Sequence, residues 1–73
     1  MKLTILRPDK VLFEGEVKKV TLPGIQGEMT ILKNHVPLLT FLKKGKIIID
    51  GKKEIEIEKG ILEVKKNEIT ILL

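Results

Sequence analysis

The sequence has no cysteine, serine, tryptophan or tyrosine, and its only aromatic side chains are Phe13 and Phe41. Without cysteine, neither a disulfide framework nor a thiolate zinc site can staple a small domain. Without serine, cysteine or tyrosine, most of the usual covalent nucleophiles are missing as well. Apolar runs extend over only a few residues, far short of the roughly 20 that a membrane-crossing helix requires. The N-terminus carries neither an apolar h-region nor a small-residue cleavage site, so no secretory signal is read and a soluble cytoplasmic protein is the default expectation. Arginine is scarce too. Of 14 basic residues only Arg7 is an arginine, and ten acidic residues leave a net charge of +4. Phosphate and base readers favour the arginine fork and interleave aromatics for stacking. An excess of lysine instead keeps an aliphatic, edge-rich sheet soluble. The abundance of isoleucine, lysine and glutamate with few amides matches heat-adapted proteins, although an AT-rich genome produces the same bias.

What is present reads as β-structure. Seventy-three residues make one domain, 1–73, with no linker or internal repeat. A chain of this length buries only about 60% of its unfolded surface, so its stability is marginal unless it packs well or leans on a partner. Beta-branched residues alternate with polar ones, and Gly, Pro, Asp or Asn recurs at short intervals. That pattern predicts an all-β fold, a flattened two-sheet sandwich of about nine or ten short strands.

The second half can be registered almost residue by residue. Asp50-Gly51-Lys52, taken as a three-residue loop, places Ile49 opposite Lys53, Ile47 opposite Ile55 and Lys46 opposite Glu56, with Lys44 facing Glu58. Ile47, Ile49, Ile55 and Ile57 then share one face, whereas a two-residue Asp-Gly turn would set isoleucines against glutamates. This loop predicts a left-handed backbone at Lys52. In the last hairpin, a Lys66-Asn67 turn sets an ion pair of Lys65 and Glu68 beside the turn, with Val64 opposite Ile69 and Leu62 opposite Ile71. The first half is less regular. Leu3 and Ile5 lie in a strand ending at Arg7-Pro8-Asp9, and Val11 to Glu14 form a second. Val17 and Val20 break the two-residue period, which predicts a β-bulge between Val17 and Leu22.

Catalysis needs a nucleophile, an acid–base pair, a metal or a cofactor, and the sequence offers none with matching spacing. Four of five threonines, Thr4, Thr21, Thr30 and Thr70, fall in alternating strand patterns. His35, the only histidine, has no nearby carboxylate to orient it and fits a turn or an interface better than a ligand set. Glu54, Glu56 and Glu58 stand about 6.5–7 Å apart along a strand, which suits a solvated face rather than a cation site. Gly24 and Gly27 lack the GxxxxGK[ST] pattern and the helix of a phosphate loop. No catalytic residue, cofactor or metal is expected.

The turn segments are informative as an ordered set: Pro8, Phe13-Glu14-Gly15-Glu16-Val17, Leu22-Pro23-Gly24, Gly27-Glu28-Met29, His35-Val36-Pro37-Leu38-Leu39-Thr40, and Gly60-Ile61-Leu62-Glu63-Val64. Across nearly the whole chain this set resembles the N-terminal sandwich domain of the epsilon subunit of F-type ATP synthase. Residues 27 to 40 are its most specific stretch. The resemblance implies a non-catalytic subunit of the central stalk, held between the gamma subunit and the membrane c-subunit ring and transmitting proton- or sodium-driven rotation. It implies a place on the cytoplasmic side of the inner membrane, peripheral through the complex. Gly27, Glu28 and Met29 match the ring-facing loop. Arg7, Pro8, Asp9, His35 and Thr40 match the gamma side. The chain departs from the family pattern at Thr30 and Lys33, where glycine and proline are common. Family members commonly continue into two inhibitory C-terminal helices, so a chain ending at Leu73 is expected to lack that switch. The competing readings are a basic β-barrel that binds single-stranded nucleic acid, and a scaffold whose edge strands pair with a partner.

Overall fold

In a computed structural model that describes residues 1–73, the chain forms nine strands and no helix. They are β1 (Lys2–Arg7), β2 (Lys10–Glu16), β3 (Lys19–Gly24), β4 (Gly27–Leu32), β5 (Leu38–Leu42), β6 (Gly45–Ile49), β7 (Lys53–Ile57), β8 (Gly60–Lys65) and β9 (Glu68–Leu72). Hydrogen bonding runs β2-β1-β9-β8-β5-β3-β6-β7, with β4 on the other edge of β3. One pair, Gly24 with Leu42, links β5 to β3. At that narrow joint the sheet folds over. It forms one layer of β2, β1, β9, β8 and β5 and a second of β4, β3, β6 and β7.

Strand alternation fills the space between the layers. Leu3 and Ile5 of β1, Leu62 and Val64 of β8, and Ile69 and Ile71 of β9 point inward from the first layer. Val20, Leu22, Ile31, Ile47, Ile49 and Ile57 meet them from the second. No polar or charged side chain is buried, so the fold rests on aliphatic packing, at about 25 cal/mol per Å² of apolar surface removed from water. Phe13 lies at the core's edge, and Lys53 Nζ stands 5.3 Å from its ring centroid. That cation–π contact draws β7 to β2, the two ends of the ladder.

Both expected hairpin registers are present: Ile47 faces Ile55 and Lys46 faces Glu56, while Val64 faces Ile69 and Leu62 faces Ile71. Four local expectations are corrected. The left-handed residues of the first loop are Asp50 (φ 52°) and Gly51 (φ 69°), not Lys52. Aspartate visits that region more cheaply than lysine. The β6–β7 ladder stops at Gly45 and Ile57, so Lys44 and Glu58 lie beyond it. Lys65 Nζ sits 3.9 Å from Glu63 of its own strand rather than forming an ion pair with Glu68. Finally, Val17 is reconciled with the core without a bulge. The chain leaves β2 after Glu16 and re-enters at Lys19, and Val17 is buried in the crossing with its N–H donated to the Met1 carbonyl at 2.8 Å. The register shift lies instead in β2, where it brings both Leu12 and Phe13 against the core.

Candidate interaction surfaces

Strand directions sort the connecting turns onto two ends of the sandwich. β1, β5 and β9 run one way, and the β3–β4 tip meets the C-terminal end of β5 through the Gly24–Leu42 pair. The Arg7-Pro8-Asp9 turn therefore shares an end with the tip of the β3–β4 hairpin. The Asn34–Pro37 loop, the Asp50–Lys52 loop and the Lys66-Asn67 turn share the other.

At the first end, Gly24 and Gly27 close a hairpin around Ile25 and Gln26. A Cβ on Gly24 would stand 2.8 Å from the Gly27 carbonyl oxygen, too close for any side chain. Gly27 has φ 138°, a conformation open to glycine and costly for other residues. The pair holds Glu28 opposite Pro23, exposed and outside every ion pair of the molecule. Met29 faces the other way and packs, half-buried, against the core. Of the three matched loop residues, Glu28 is the free functional group, Met29 is largely packing, and Gly27 supplies backbone geometry. Arg7, Pro8 and Asp9 are exposed, and Arg7 and Pro8 border a shallow depression with Ile57, Lys59 and Leu73.

His35 lies at the opposite end, away from Arg7 to Asp9. Its Nδ1 donates to the Val36 carbonyl at 2.7 Å and its backbone N–H to the Leu32 carbonyl at 3.2 Å. The imidazole thus braces the loop, while Val36 beside it stands exposed. Thr40 is opposite Leu62 and on the inward side of β5, half-buried, between the exposed Leu39 and Phe41. The gamma-side set is therefore not one contiguous patch: the turn and the histidine are separated by the length of the strands.

Two features escaped sequence reading. The first is a clamp at the His35 end. Asp50 Oδ1 accepts the backbone N–H groups of Lys18 at 2.7 Å and Lys19 at 3.0 Å, tying the β2–β3 crossing to the β6–β7 loop. These bonds, the Lys19 one foremost, hold the Asp50 carboxyl below the usual carboxylate range, with the nearby Lys18 and Lys19 charges adding to the effect. The second is a set of exposed apolar side chains on β2, β5, β8 and β9: Val11, Leu39, Phe41, Ile61 and Leu72. Their sequence signal was the largely apolar composition of β5, whose Leu39 and Phe41 cannot share the inward face with Leu38 and Leu42.

No three histidine or acidic side chains gather into a metal-binding cluster. Phe13 packs at the core and Phe41 stands among aliphatics. The two rings therefore build no platform for stacking successive bases.

The chain matches the family model for the ATP synthase delta/epsilon chain β-sandwich domain over residues 1–73. It is 46% identical over 76 residues to the ATP synthase epsilon chain of Clostridium kluyveri, covering 99% of this chain and 58% of that one. Identity is also 46% over 77 residues to the epsilon chain of a Nitratiruptor species, covering all of this chain and 60% of that one. The chain thus spans about three fifths of the length of these curated relatives. Among solved structures, it superposes with a TM-score of 0.82 on a chain in the cryo-EM structure of the Euglena gracilis mitochondrial ATP synthase OSCP/F1/c-ring assembly. That chain is 26% identical, and the match covers 96% of this chain and 48% of the other.

Proposed function

The chain belongs to the ATP synthase delta/epsilon chain β-sandwich family, and from that footing we propose that it is a non-catalytic element of the enzyme's central stalk. In this reading it binds the gamma subunit and rests on the c-subunit ring, so that rotation driven by protons or sodium ions passes from ring to stalk. It lies on the cytoplasmic side of the membrane, held there through the complex. The observation that carries the reading is the family match over the whole chain, together with 46% identity to epsilon chains. The exposed hairpin tip agrees with it. Glycine geometry presents Glu28 to a partner without engaging it in the fold.

Glu28 is the ring-side contact, and Arg7 to Asp9, on the same end, belong to the gamma side. His35 and Thr40 act on the gamma side, His35 by fixing the loop that presents Val36. The test is an assembled ATP synthase carrying this chain with Glu28→Ala, reconstituted in vesicles. Ions pumped per ATP hydrolysed should fall while the isolated variant melts as the parent does. Full coupling with the variant would remove Glu28 from the ring contact, and a variant that fails to fold would make Glu28 a structural residue.

A further inference from the structure

We propose that the Asp50–Gly51 peptide is a site of spontaneous covalent modification, isomerisation to isoaspartate, and that the clamp on Lys18 and Lys19 holds it off while the chain is folded. The linkage at residue 50 then records time spent open, independently of any stalk partner.

Of the four aspartate and asparagine residues, Asp9, Asn34, Asp50 and Asn67, only Asp50 precedes a glycine. The turn demands that dipeptide. Asp50 and Gly51 both have positive φ, 52° and 69°, and the Lys52 N–H closes the turn on the Ile49 carbonyl at 3.0 Å. Two consecutive left-handed residues favour Asp-Gly or Asn-Gly. The same pairing is the most prone to cyclise, because glycine has no side chain to shield its nitrogen. Gly51 is exposed, and its N–H donates to no backbone carbonyl.

Water is the only co-reactant. The Gly51 nitrogen attacks Asp50 Cγ, its proton and the carboxyl hydroxyl leave as water, and a five-membered succinimide forms. Water then opens the ring. Addition at Cγ restores aspartate. Addition at the Asp50 main-chain carbonyl leaves the chain running through Cβ and Cγ, with no net change in mass.

What stands against the reaction is the clamp. Three bonds tie Asp50 to the β2–β3 crossing. Its N–H donates to the Lys19 carbonyl at 2.9 Å, and its Oδ1 accepts the N–H groups of Lys18 at 2.7 Å and Lys19 at 3.0 Å. Cyclisation needs the un-ionised acid turned onto the Gly51 nitrogen. The clamp instead keeps the group an anion aimed at another segment, and the Lys18 and Lys19 ammonium groups favour the same charge state. Isoaspartate, once formed, adds a methylene to the backbone of the β6–β7 loop and shortens the carboxylate arm by one carbon. The crossing then loses its acceptor.

The experiment holds the unmodified chain at neutral pH, folded in buffer and unfolded in concentrated guanidinium, and samples both over weeks. Isoaspartate is counted by labelling with a protein-isoaspartate methyltransferase and located by peptide fragmentation. Hydrogen exchange reads the opening of the Lys18 and Lys19 amides in the folded chain. In the unfolded chain isoaspartate should accumulate at residue 50 and not at Asp9. Folding should slow it at least about tenfold, the factor set by opening one charge-assisted hydrogen bond, and in step with the opening that exchange reports. The isomerised fraction, separated by chromatography, should melt at least about 4 °C below the parent. An unfolded chain that reacts equally at Asp9 overturns the assignment of the site. A folded chain that reacts as fast as the unfolded one, or faster than opening of the Lys18 and Lys19 amides allows, overturns the protective role of the clamp. An isomerised fraction that melts with the parent overturns the link between the linkage and the clamp.

Discussion

Asp50 shows how one side chain can hold a fold that has no disulfide and no buried polar network. Its positive φ turns the β6–β7 loop so that its carboxylate reaches two backbone N–H groups of another connection. Because those bonds lower the folded-state pKa, the stabilisation is fully present above the unfolded value of about 3.9 and fades as pH falls through the folded value. Asp50→Asn tolerates the same backbone and does not titrate. The melting temperature of the parent should exceed that of Asp50→Asn at neutral pH, and the gap should close on acidification below about pH 4. A gap that stays constant with pH would mean that the charge contributes nothing. The clamp was invisible in the sequence because Asp50 and Lys18 are 32 residues apart and nothing local pairs them. Glu28, His35 and Thr40 were legible only as positions of the family resemblance, since nothing in their local spacing marks a contact.

At the scale of elements, legibility followed the strength of the two-residue period. In β6–β7 and β8–β9 a slip of one residue would turn isoleucines outward, so the hydrophobic pattern alone fixed both registers. Ile57, 5% exposed, tests the first of them. Ile57→Lys should unfold the chain, because burying an unpaired ammonium costs more than about 4 kcal/mol. Glu56→Gln, one residue away on the exposed face, should shift stability by no more than about 0.5 kcal/mol. Cooperative melting of Ile57→Lys near the parent temperature would mean that the hairpin register is wrong. Where the period failed, around Val17, the sequence could not distinguish a bulge within one strand from a break between two. The break occurs because the chain passes there from one layer to the other.

For the whole molecule, strand count and sandwich class could be read from short alternating segments and turn residues, but topology could not. The parallel pairing of β1 with β9 joins the two termini of the sequence, and the layers are joined through the single Gly24–Leu42 pair. No local pattern encodes either contact. The exposed apolar side chains of β2, β5, β8 and β9 have the same origin, since they come together only once five strands from three parts of the chain lie side by side. A domain this small is expected to gain stability from a partner, and its two outer faces differ in polarity. The account therefore centres on the stalk association. The most direct test is co-purification of the chain with the matching gamma subunit at low and at high salt. The predicted result is a one-to-one complex that survives high salt, as an interface dominated by apolar packing should. A folded chain that forms no complex at either salt would contradict the account.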